Sequence, residues 1–229
     1  MLKYLQLPFQ FDVQKMQEEL SGLNTKSWQL HHQKLHYEGE WKALPLRSIG
    51  GRPEHIIVSP ENDPDYRDTV FLKESPYFSK LLSEFNCPLM AVRLLKLNTG
   101  AVIKEHTDAE LCYEKGEVRF HVPVITNDKV EFYLDKERMY LQEGECWYMN
   151  FNLPHSIINN SNTDRVHLVI DAKVNDWVKQ LFAQPAVNKK EIEEPGYDTD
   201  TKRKIILQLR KMNTENSSRI ADEMEATLS

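Results

Sequence analysis

A histidine and an aspartate stand two positions apart in the segment EHTDAE, where they could share a metal ion. The flanking residues favour β-structure, and alternate residues of a strand point to the same side, so His106 and Asp108 would face one ligand. A second histidine, His155, follows much later in NFNLPHS. Two imidazoles and one carboxylate can occupy one face of an octahedral iron(II) and leave the opposite face open to substrate and oxygen. The sequence therefore predicts a metal site whose third ligand comes from a strand that is a neighbour only in space.

The H-x-D spacing alone has a simpler explanation. With eight histidines and 35 acidic residues in the chain, such a pair also arises by chance, and both residues could lie in a polar loop. The choice between the two explanations depends on residues elsewhere in the chain.

Two further segments place an arginine and a histidine on one face of a strand. Arg165 and His167 share a face of RVHLVID, and Arg119 and His121 share a face of EVRFHVPVI, while valine, leucine, isoleucine and phenylalanine occupy the opposite faces. A buried guanidinium is costly unless an anion pairs with it, and its planar fork suits a carboxylate. The arrangement favours an anion-binding pocket, although a solvent-exposed sheet face would show the same alternation.

The pattern between residues 90 and 171 is typical of a mainly β fold. Six short segments rich in β-branched and aromatic residues are separated by turn residues, without intervening helices: MAVRLLKLN, EVRFHVPVI, KVEFYLD, RMYLQ, ECWYMNF and RVHLVID. They predict an antiparallel sandwich or barrel of the jelly-roll kind. Upstream, we expect a helix from Asp12 to Leu20 with Asp12 as its N-cap, and a second helix over residues 75–85 with Ser75 as its N-cap.

The composition changes after Trp177. Residues 189–200 are charged and contain Pro-Gly, which indicates a linker, and residues 201–228 are helical in pattern, with a break over residues 213–218. We expect one domain over residues 1–180 and a linker with a helical tail over residues 181–229. The tail either docks on the barrel or pairs with a second subunit to make a homodimer. Two apolar stripes carry this interpretation: Ile205, Leu209 and Met212, then Ile220, Met224 and Leu228.

Composition and charge narrow the class of protein. The formal net charge is −6 and the basic residues are dispersed, which argues against nucleic acid or an anionic membrane as the main partner. No apolar run reaches the roughly 18 residues that a membrane-spanning helix needs, and the first residues lack the pattern of a signal peptide. The three cysteines are far apart and form no CxxC motif. We therefore expect a cytoplasmic protein in a reducing compartment.

Several motifs, in their order and spacing, resemble the aspartyl/asparaginyl β-hydroxylase family of iron(II)- and 2-oxoglutarate-dependent oxygenases. They are WKALPLRS, HTD, RFHVPV, LPHS and DRVHLVID, and the likeness extends over roughly residues 40–172. It is closer to the bacterial branch that contains proline cis-4-hydroxylase, in which the first metal motif keeps its aspartate. The resemblance implies a double-stranded β-helix, the cupin-like form of a jelly roll.

The resemblance also implies roles for individual residues. The predicted metal ligands would hold iron(II), Arg165 would bind the distal carboxylate of 2-oxoglutarate, and dioxygen would be the second cosubstrate. Arg119 and His121 match positions near the cosubstrate, and His167 stands two residues after Arg165, as it does in the proline-hydroxylase branch. A serine that assists cosubstrate binding in the animal enzymes aligns with Leu95, so that contact would be lost or replaced.

Substrate residues are harder to assign. Trp41 and Arg47 lie in the segment that flanks the pocket in similar enzymes, and Arg47 is either a clamp for a substrate carboxylate or a solvated strand residue. The loop over residues 109–117 could cover the site, with Tyr113 and Glu110 as candidates for substrate contact. The histidines of HHQKLH, residues 31–36, lack a carboxylate partner, which favours an ordinary surface segment.

Three functions follow from these features. The first is a hydroxylase that acts on an amino acid or an amino-acid-derived small molecule. The second is hydroxylation of aspartyl, asparaginyl or prolyl side chains in a peptide or protein, which needs an open groove beside the iron. The third is a cupin-like metal-binding sensor without redox turnover, which leaves Arg165 unexplained.

Overall fold

The computed structural model describes residues 1–23, 28–58, 65–108, 111–193, 199–212, 214–226 and 228. It divides the chain into two compact units, one formed by residues 2–191 and the other by Met1 with residues 192–229. The described residues form 14 strands and six α-helices. Among them, no helix combines the length and the apolar character that crossing a membrane requires.

The first unit is built on two antiparallel sheets. The larger sheet has nine strands, eight of them in the spatial order β14 (Lys189–Glu191), β1 (Leu2–Gln10), β11 (Glu145–Met149), β8 (Glu117–Ile125), β13 (Arg165–Lys173), β6 (Leu89–Leu97), β4 (Trp41–Ile49) and β2 (Gln29–Leu30), while β5 (Tyr66–Asp68) pairs with β4. The smaller sheet has five strands in the order β10 (Glu137–Met139), β9 (Val130–Leu134), β12 (His155–Asn159), β7 (Val102–His106) and β3 (Tyr37–Glu38). This mainly β, jelly-roll architecture confirms the predicted fold class.

Alternation along the central strands gives the larger sheet two buried faces of different character. One face is apolar and belongs to the main hydrophobic core, as the period of two along β8 and β13 predicts. Its residues from those two strands are Val118, Phe120, Val122, Val124, Val166, Leu168, Ile170 and Ala172. The opposite face carries Arg165, His167 and His121, which are also buried, so the solvent-exposed alternative does not hold.

Helices cover the apolar face. The helices of this unit are α1 (Val13–Gly22), α2 (Val70–Lys73), α3 (Pro76–Leu82) and α4 (Asp176–Phe182). The carboxylate of Asp12 caps α1 by accepting a hydrogen bond from the backbone N–H of Lys15, as expected. Ser75 precedes α3, which begins at Pro76 and buries Phe78 in the core. Short 3-10 turns lie at Lys34–His36 and Tyr113–Lys115.

A tight hairpin turn joins β9 and β10. Asp135 and Lys136 both have positive φ, 48° and 63°, and Leu134 pairs with Glu137 across the turn. Two residues with positive φ are the mark of a tight hairpin whose twist matches its strands. The ammonium group of Lys3, which is buried, lies 3.1 Å from a carboxylate oxygen of Asp135 and so holds the hairpin against β1.

Residues near the end of the first unit correct the expected linker. Lys189–Glu191 form β14 and pair with β1, so the charged segment begins as an edge strand. Residues 194–198 lie outside the described part of the chain. Lysine-rich edge strands are common because charge discourages pairing with another chain.

The second unit contains the two helices expected in the tail. They are α5 (Thr199–Met212) and α6 (Glu215–Ala226), and Arg210 bridges them through ion pairs with Asp222 and Glu225. The apolar stripe of α5 differs from the expected one, because Ile206 is buried and Met212 is exposed.

Candidate metal centre

Two strands of the smaller sheet bring the predicted histidines together. His106 is the last residue of β7, and His155, which the sequence places just past a strand, is the first residue of β12. They are directly opposite each other in the antiparallel pair, and their ring centroids are 4.2 Å apart. Asp108 lies two residues beyond the end of β7, where its backbone N–H donates to the carbonyl of Phe151 at 2.8 Å. The carboxylate of Asp108 is therefore positioned by the segment that follows β7, and not by a continuation of the strand.

The three side chains can share one ion. One ligand atom from each of His106, Asp108 and His155 lies within 4.8 Å of the others. Nδ1 of His106 lies 2.8 Å from the carbonyl of Lys104, and Nδ1 of His155 lies 3.0 Å from that of Leu153. Because a carbonyl only accepts, each Nδ1 carries the proton and donates, which leaves both Nε2 lone pairs for a metal.

The protonation states suit a ligand set. Burial, followed by the neighbouring His106, lowers the pKa of His155 to about 4, so its imidazole is neutral near pH 7. Burial by itself would raise the pKa of Asp108. The Arg119 guanidinium outweighs that effect together with His155 and His106, and the pKa of Asp108 is held below its usual value. A neutral imidazole and an ionised carboxylate are the forms in which these two side chains bind a divalent cation.

A buried ionic chain extends from Asp108 into the larger sheet. Arg119 donates from Nη1 to Oδ2 of Asp108 and from Nε to Oδ1 of Asp171 at 2.6 Å. Asp171 also accepts a hydrogen bond from Arg93 at 2.7 Å. Neither Arg93 nor Asp171 is among the site residues predicted from the sequence. The signal was available, since Asp171 continues the alternation of Arg165 and His167 along β13, and Arg93 stands on the neighbouring strand.

Arg165 is the clearest anion-binding candidate in this face of the sheet. Its side chain is 1% exposed, and no carboxylate pairs with it among the residues that the structure describes. Its Nη2 donates to Nδ1 of His167 at 2.8 Å, and its Nε has no hydrogen-bond partner in the described chain. Burial lowers the pKa of Arg165 to about 9. A guanidinium left in this state is expensive to bury, and an anion would offset that cost.

Tautomers in the neighbouring pair of histidines follow from Arg165. Because the guanidinium can only donate, Nδ1 of His167 accepts and the proton of His167 is on Nε2. Nδ1 of His121, 3.3 Å from the same atom, then also donates to it. Burial, and next the charge of Arg165, lowers the pKa of both histidines well below 6.5, so both are neutral. Nε2 of His167 is a buried donor with no partner in the described residues.

Ring contacts join Arg165 to the metal ligands. The ring of His121 stacks on Phe151 at 4.8 Å between centroids, and Phe151 meets His155 edge-to-face at 4.7 Å. Arg165 and His167 also line a cavity of about 370 Å³, within the range of about 300–1,000 Å³ for small-molecule sites. The lining of that cavity contains none of the three metal ligands. Arg165 is thus connected to His155 through contacts of His167, His121 and Phe151, and not through this cavity.

Trp41 lies beside His106 of the triad, and its role in substrate binding stays a prediction. It occupies the same row of the larger sheet as Arg165, with Leu97 between them, and its ring centroid is 6.4 Å from that of His106. His31 stacks on Trp41 at 3.5 Å and is buried, so the expectation of a surface segment is wrong for this histidine. His36 lies 5.0 Å from His106 in ring-centroid distance.

The other substrate candidates lie in different surroundings. The guanidinium of Arg47 forms an ion pair with Asp68 and donates to the carbonyls of Tyr66 and Leu89. The ring of Tyr113 stacks on Phe182 at 4.9 Å, against the hydrophobic core. None of these contacts reaches the triad, and a substrate role for either residue stays a prediction. Glu110 lies outside the described residues.

Fold and site together define a class of protein: a double-stranded β-helix whose interior presents two histidines and a carboxylate in the arrangement that non-haem iron(II) oxygenases use. A family model for aspartyl/asparaginyl beta-hydroxylase matches residues 10–174, and the chain belongs to that family.

The chain is also similar to individual proteins. The chain is 29% identical over 163 residues to L-proline cis-4-hydroxylase of Rhizobium meliloti (strain 1021), with 70% of this chain and 57% of that protein covered. It is 23% identical over 136 residues to L-proline cis-3-hydroxylase 2 of Streptomyces sp, with 58% and 47% covered. The chain thus spans about half the length of these relatives. A 2OG-Fe(II) oxygenase family oxidoreductase from Burkholderia pseudomallei superposes with a TM-score of 0.48 at 13% identity, over 71% of this chain and 79% of that structure.

Proposed function

We propose that the protein is an iron(II)- and 2-oxoglutarate-dependent hydroxylase that acts on an amino acid or an amino-acid-derived small molecule. The observation that carries the proposal is that one polypeptide combines a buried arginine, which pairs with no carboxylate among the described residues, with three side chains whose ligand atoms lie close enough to hold one metal ion. Neither feature is sufficient by itself. A metal-binding barrel without turnover would also have the three ligands, but it would not need a buried arginine that has no carboxylate partner.

Iron fits the donor set. His106 and His155 would bind through Nε2 and Asp108 through Oδ1, because hydrogen bonds occupy the other nitrogen atoms and the other carboxylate oxygen. Two histidines and one carboxylate leave coordination positions free for small molecules. Iron with 2-oxoglutarate and dioxygen would supply the oxidising chemistry for C–H hydroxylation and convert the keto acid to succinate and carbon dioxide.

A five-carbon diacid fits the polar interior. Its distal carboxylate would accept hydrogen bonds from the free Nε of Arg165 and from Nε2 of His167. Both donors are buried and lack partners in the described residues, so an anion there would satisfy groups that otherwise destabilise the fold. The rings of Phe132 and Phe151 lie against His121 and would keep water from this carboxylate.

The substrate class rests on the named relatives and on the wall beside His106. Two relatives act on L-proline, which supports a free amino acid rather than a protein. Trp41 offers a flat apolar surface, and its Nε1 is a buried donor without a partner in the described chain. Such a group can orient a carboxylate or a hydroxyl of a small substrate.

The decisive test is coupled turnover. The purified protein is incubated with iron(II), ascorbate, 2-oxoglutarate and each member of an amino-acid library, and succinate and hydroxylated product are measured by mass spectrometry. We expect equimolar succinate and product with at least one amino acid or simple derivative, and neither product with His155→Ala. Absence of stimulation across the library would contradict a free amino-acid substrate. Stimulation in a parallel assay with peptides that contain aspartyl, asparaginyl or prolyl residues, and not with the library, would favour the peptide hydroxylase.

A further inference from the structure

We propose that Asp171 is a positioning residue for the metal centre, which acts through Arg119 to present only one oxygen of Asp108 to the metal. The inference deepens the proposed function and depends on it only in requiring that a divalent metal ion occupies the triad. The ionic chain consists of Arg93, Asp171, Arg119 and Asp108.

Strand pairing fixes the position of Asp171, which lies away from the metal ligands in this ionic chain. Asp171 on β13 lies directly opposite Arg119 on β8. Oδ1 of Asp171 accepts from Nε of Arg119 at 2.6 Å, and Oδ2 accepts from Nη2 of the same guanidinium at 3.2 Å. Oδ2 also accepts from Nη2 of Arg93 at 2.7 Å. The carboxylate is therefore bound on both oxygens and cannot rotate without breaking charged hydrogen bonds.

At the other end of the ionic chain, Arg119 orients the metal ligand Asp108. The Nη1 group of Arg119, on the edge of the fork that Asp171 does not use, donates to Oδ2 of Asp108. The other oxygen, Oδ1, lies 3.8 Å from Nε2 of His106 and faces the triad. The guanidinium also lies over the ring of Phe151, with its central carbon 5.5 Å from the ring centroid. Arg119 thus reads as a rigid spacer between two carboxylates, a role that a lysine cannot fill because its ammonium has no planar fork.

A contribution to stability does not by itself explain why these four ionic residues are buried together. Asp171 and Arg93 are almost fully buried, with side chains 2% and 4% exposed, and the Arg119 side chain is 13% exposed. Buried ion pairs of this kind contribute little net stability compared with well-packed apolar residues, since desolvation offsets their attraction. The ionic chain instead gives the carboxylate of Asp108 a fixed orientation. Groups that hydrogen-bond metal ligands typically alter metal affinity by about 10- to 100-fold.

The test compares metal binding with folding in the full chain. Cobalt(II) is titrated anaerobically into the wild type and Asp171→Asn, and affinity and the visible absorption of the bound ion are recorded with the thermal midpoint. We expect about 10- to 100-fold weaker binding and an altered spectrum for Asp171→Asn, because Asp108 loses its fixed orientation. Glu19→Gln is the matched control. Its carboxylate accepts from the backbone of Tyr77 and Phe78 in the helical layer, so this variant loses stability while affinity and spectrum stay unchanged.

Each outcome bears on a different statement. Wild-type affinity and spectrum in Asp171→Asn would overturn the positioning role and leave the metal site intact. Weak binding that His155→Ala does not alter would overturn the proposed metal site itself. If Asp171→Asn does not fold, Arg119→Lys decides the question, since it retains the charge but removes the fork. Cobalt binding by that variant with wild-type affinity and spectrum would overturn the proposal.

Discussion

His106 and His155 face each other across the β7–β12 pair, with their ring centroids 4.2 Å apart. The two strands join distant parts of the chain, so an ion held between these imidazoles also ties the two strands of the smaller sheet together. Metal binding at this site would therefore be coupled to folding.

We expect a divalent metal to stabilise the protein measurably. At free iron(II) or cobalt(II) 100-fold above the dissociation constant, the free energy of unfolding rises by about 2.7 kcal/mol, because only the folded chain presents the complete ligand set. Anaerobic urea unfolding with metal and with chelator measures the difference. In His155→Ala the increment should disappear. An equal increment in the variant would show that the metal binds elsewhere.

Arg165 should control the affinity for 2-oxoglutarate without affecting the metal. Loss of a buried charged contact costs about 2–5 kcal/mol, so Arg165→Ala should bind the keto acid about 30- to 4,000-fold more weakly. Arg67→Ala serves as the control because that arginine is exposed and pairs with Asp65. Calorimetric titration with the metal, followed by titration of the metal-loaded protein with 2-oxoglutarate, gives the two affinities. Unchanged affinity of Arg165→Ala for 2-oxoglutarate would show that the keto acid does not bind at Arg165.

His31 should make the protein less stable in mild acid. Burial, and then the charge of Arg93, lowers its pKa to about 2, whereas in the unfolded chain it titrates near 6.5. Between these values the unfolded state binds a proton that the folded state does not, so stability falls as the pH decreases. Relative to His31→Phe, which keeps a ring against Trp41, the wild type should lose about 2 kcal/mol between pH 7 and pH 5. A pH-independent difference in urea unfolding would contradict the buried neutral imidazole.

The three cysteines should be inert in the folded protein. Burial raises the pKa of Cys87 to about 12, and it raises the pKa of Cys112 and Cys146 as well. Only the thiolate reacts with iodoacetamide, so native protein at pH 8 should remain unlabelled, whereas protein in urea should take up three labels. Mass spectrometry counts the labels. Rapid labelling of native protein would show that one of these sites opens readily.

Periodicity predicted the parts of the fold that depend on local pattern. The apolar faces of β8 and β13 followed from a period of two, and the start of α1 followed from Asp12 before an amphipathic run. These features need only neighbouring residues, which a sequence shows directly.

Long-range contacts were harder to predict. β12, which begins at His155, is as short as β11 and lacks the aromatic residues that mark β11 as a strand in the sequence. The ionic chain through Arg93 and Asp171 depends on which strands become neighbours, and the pairing of β6, β13 and β8 is a property of the tertiary structure. His31 was missed for the same reason, because burial by Trp41 overrides the polar character of its segment.

The most direct test of the central claim is anomalous scattering at the iron edge from a crystal soaked anaerobically with iron(II) and 2-oxoglutarate. We expect one iron peak within about 2.2 Å of Nε2 of His106, Nε2 of His155 and one oxygen of Asp108, with a carboxylate of the keto acid on Arg165. An iron peak away from these three side chains, or an Arg165 that contacts no part of the keto acid, would contradict it.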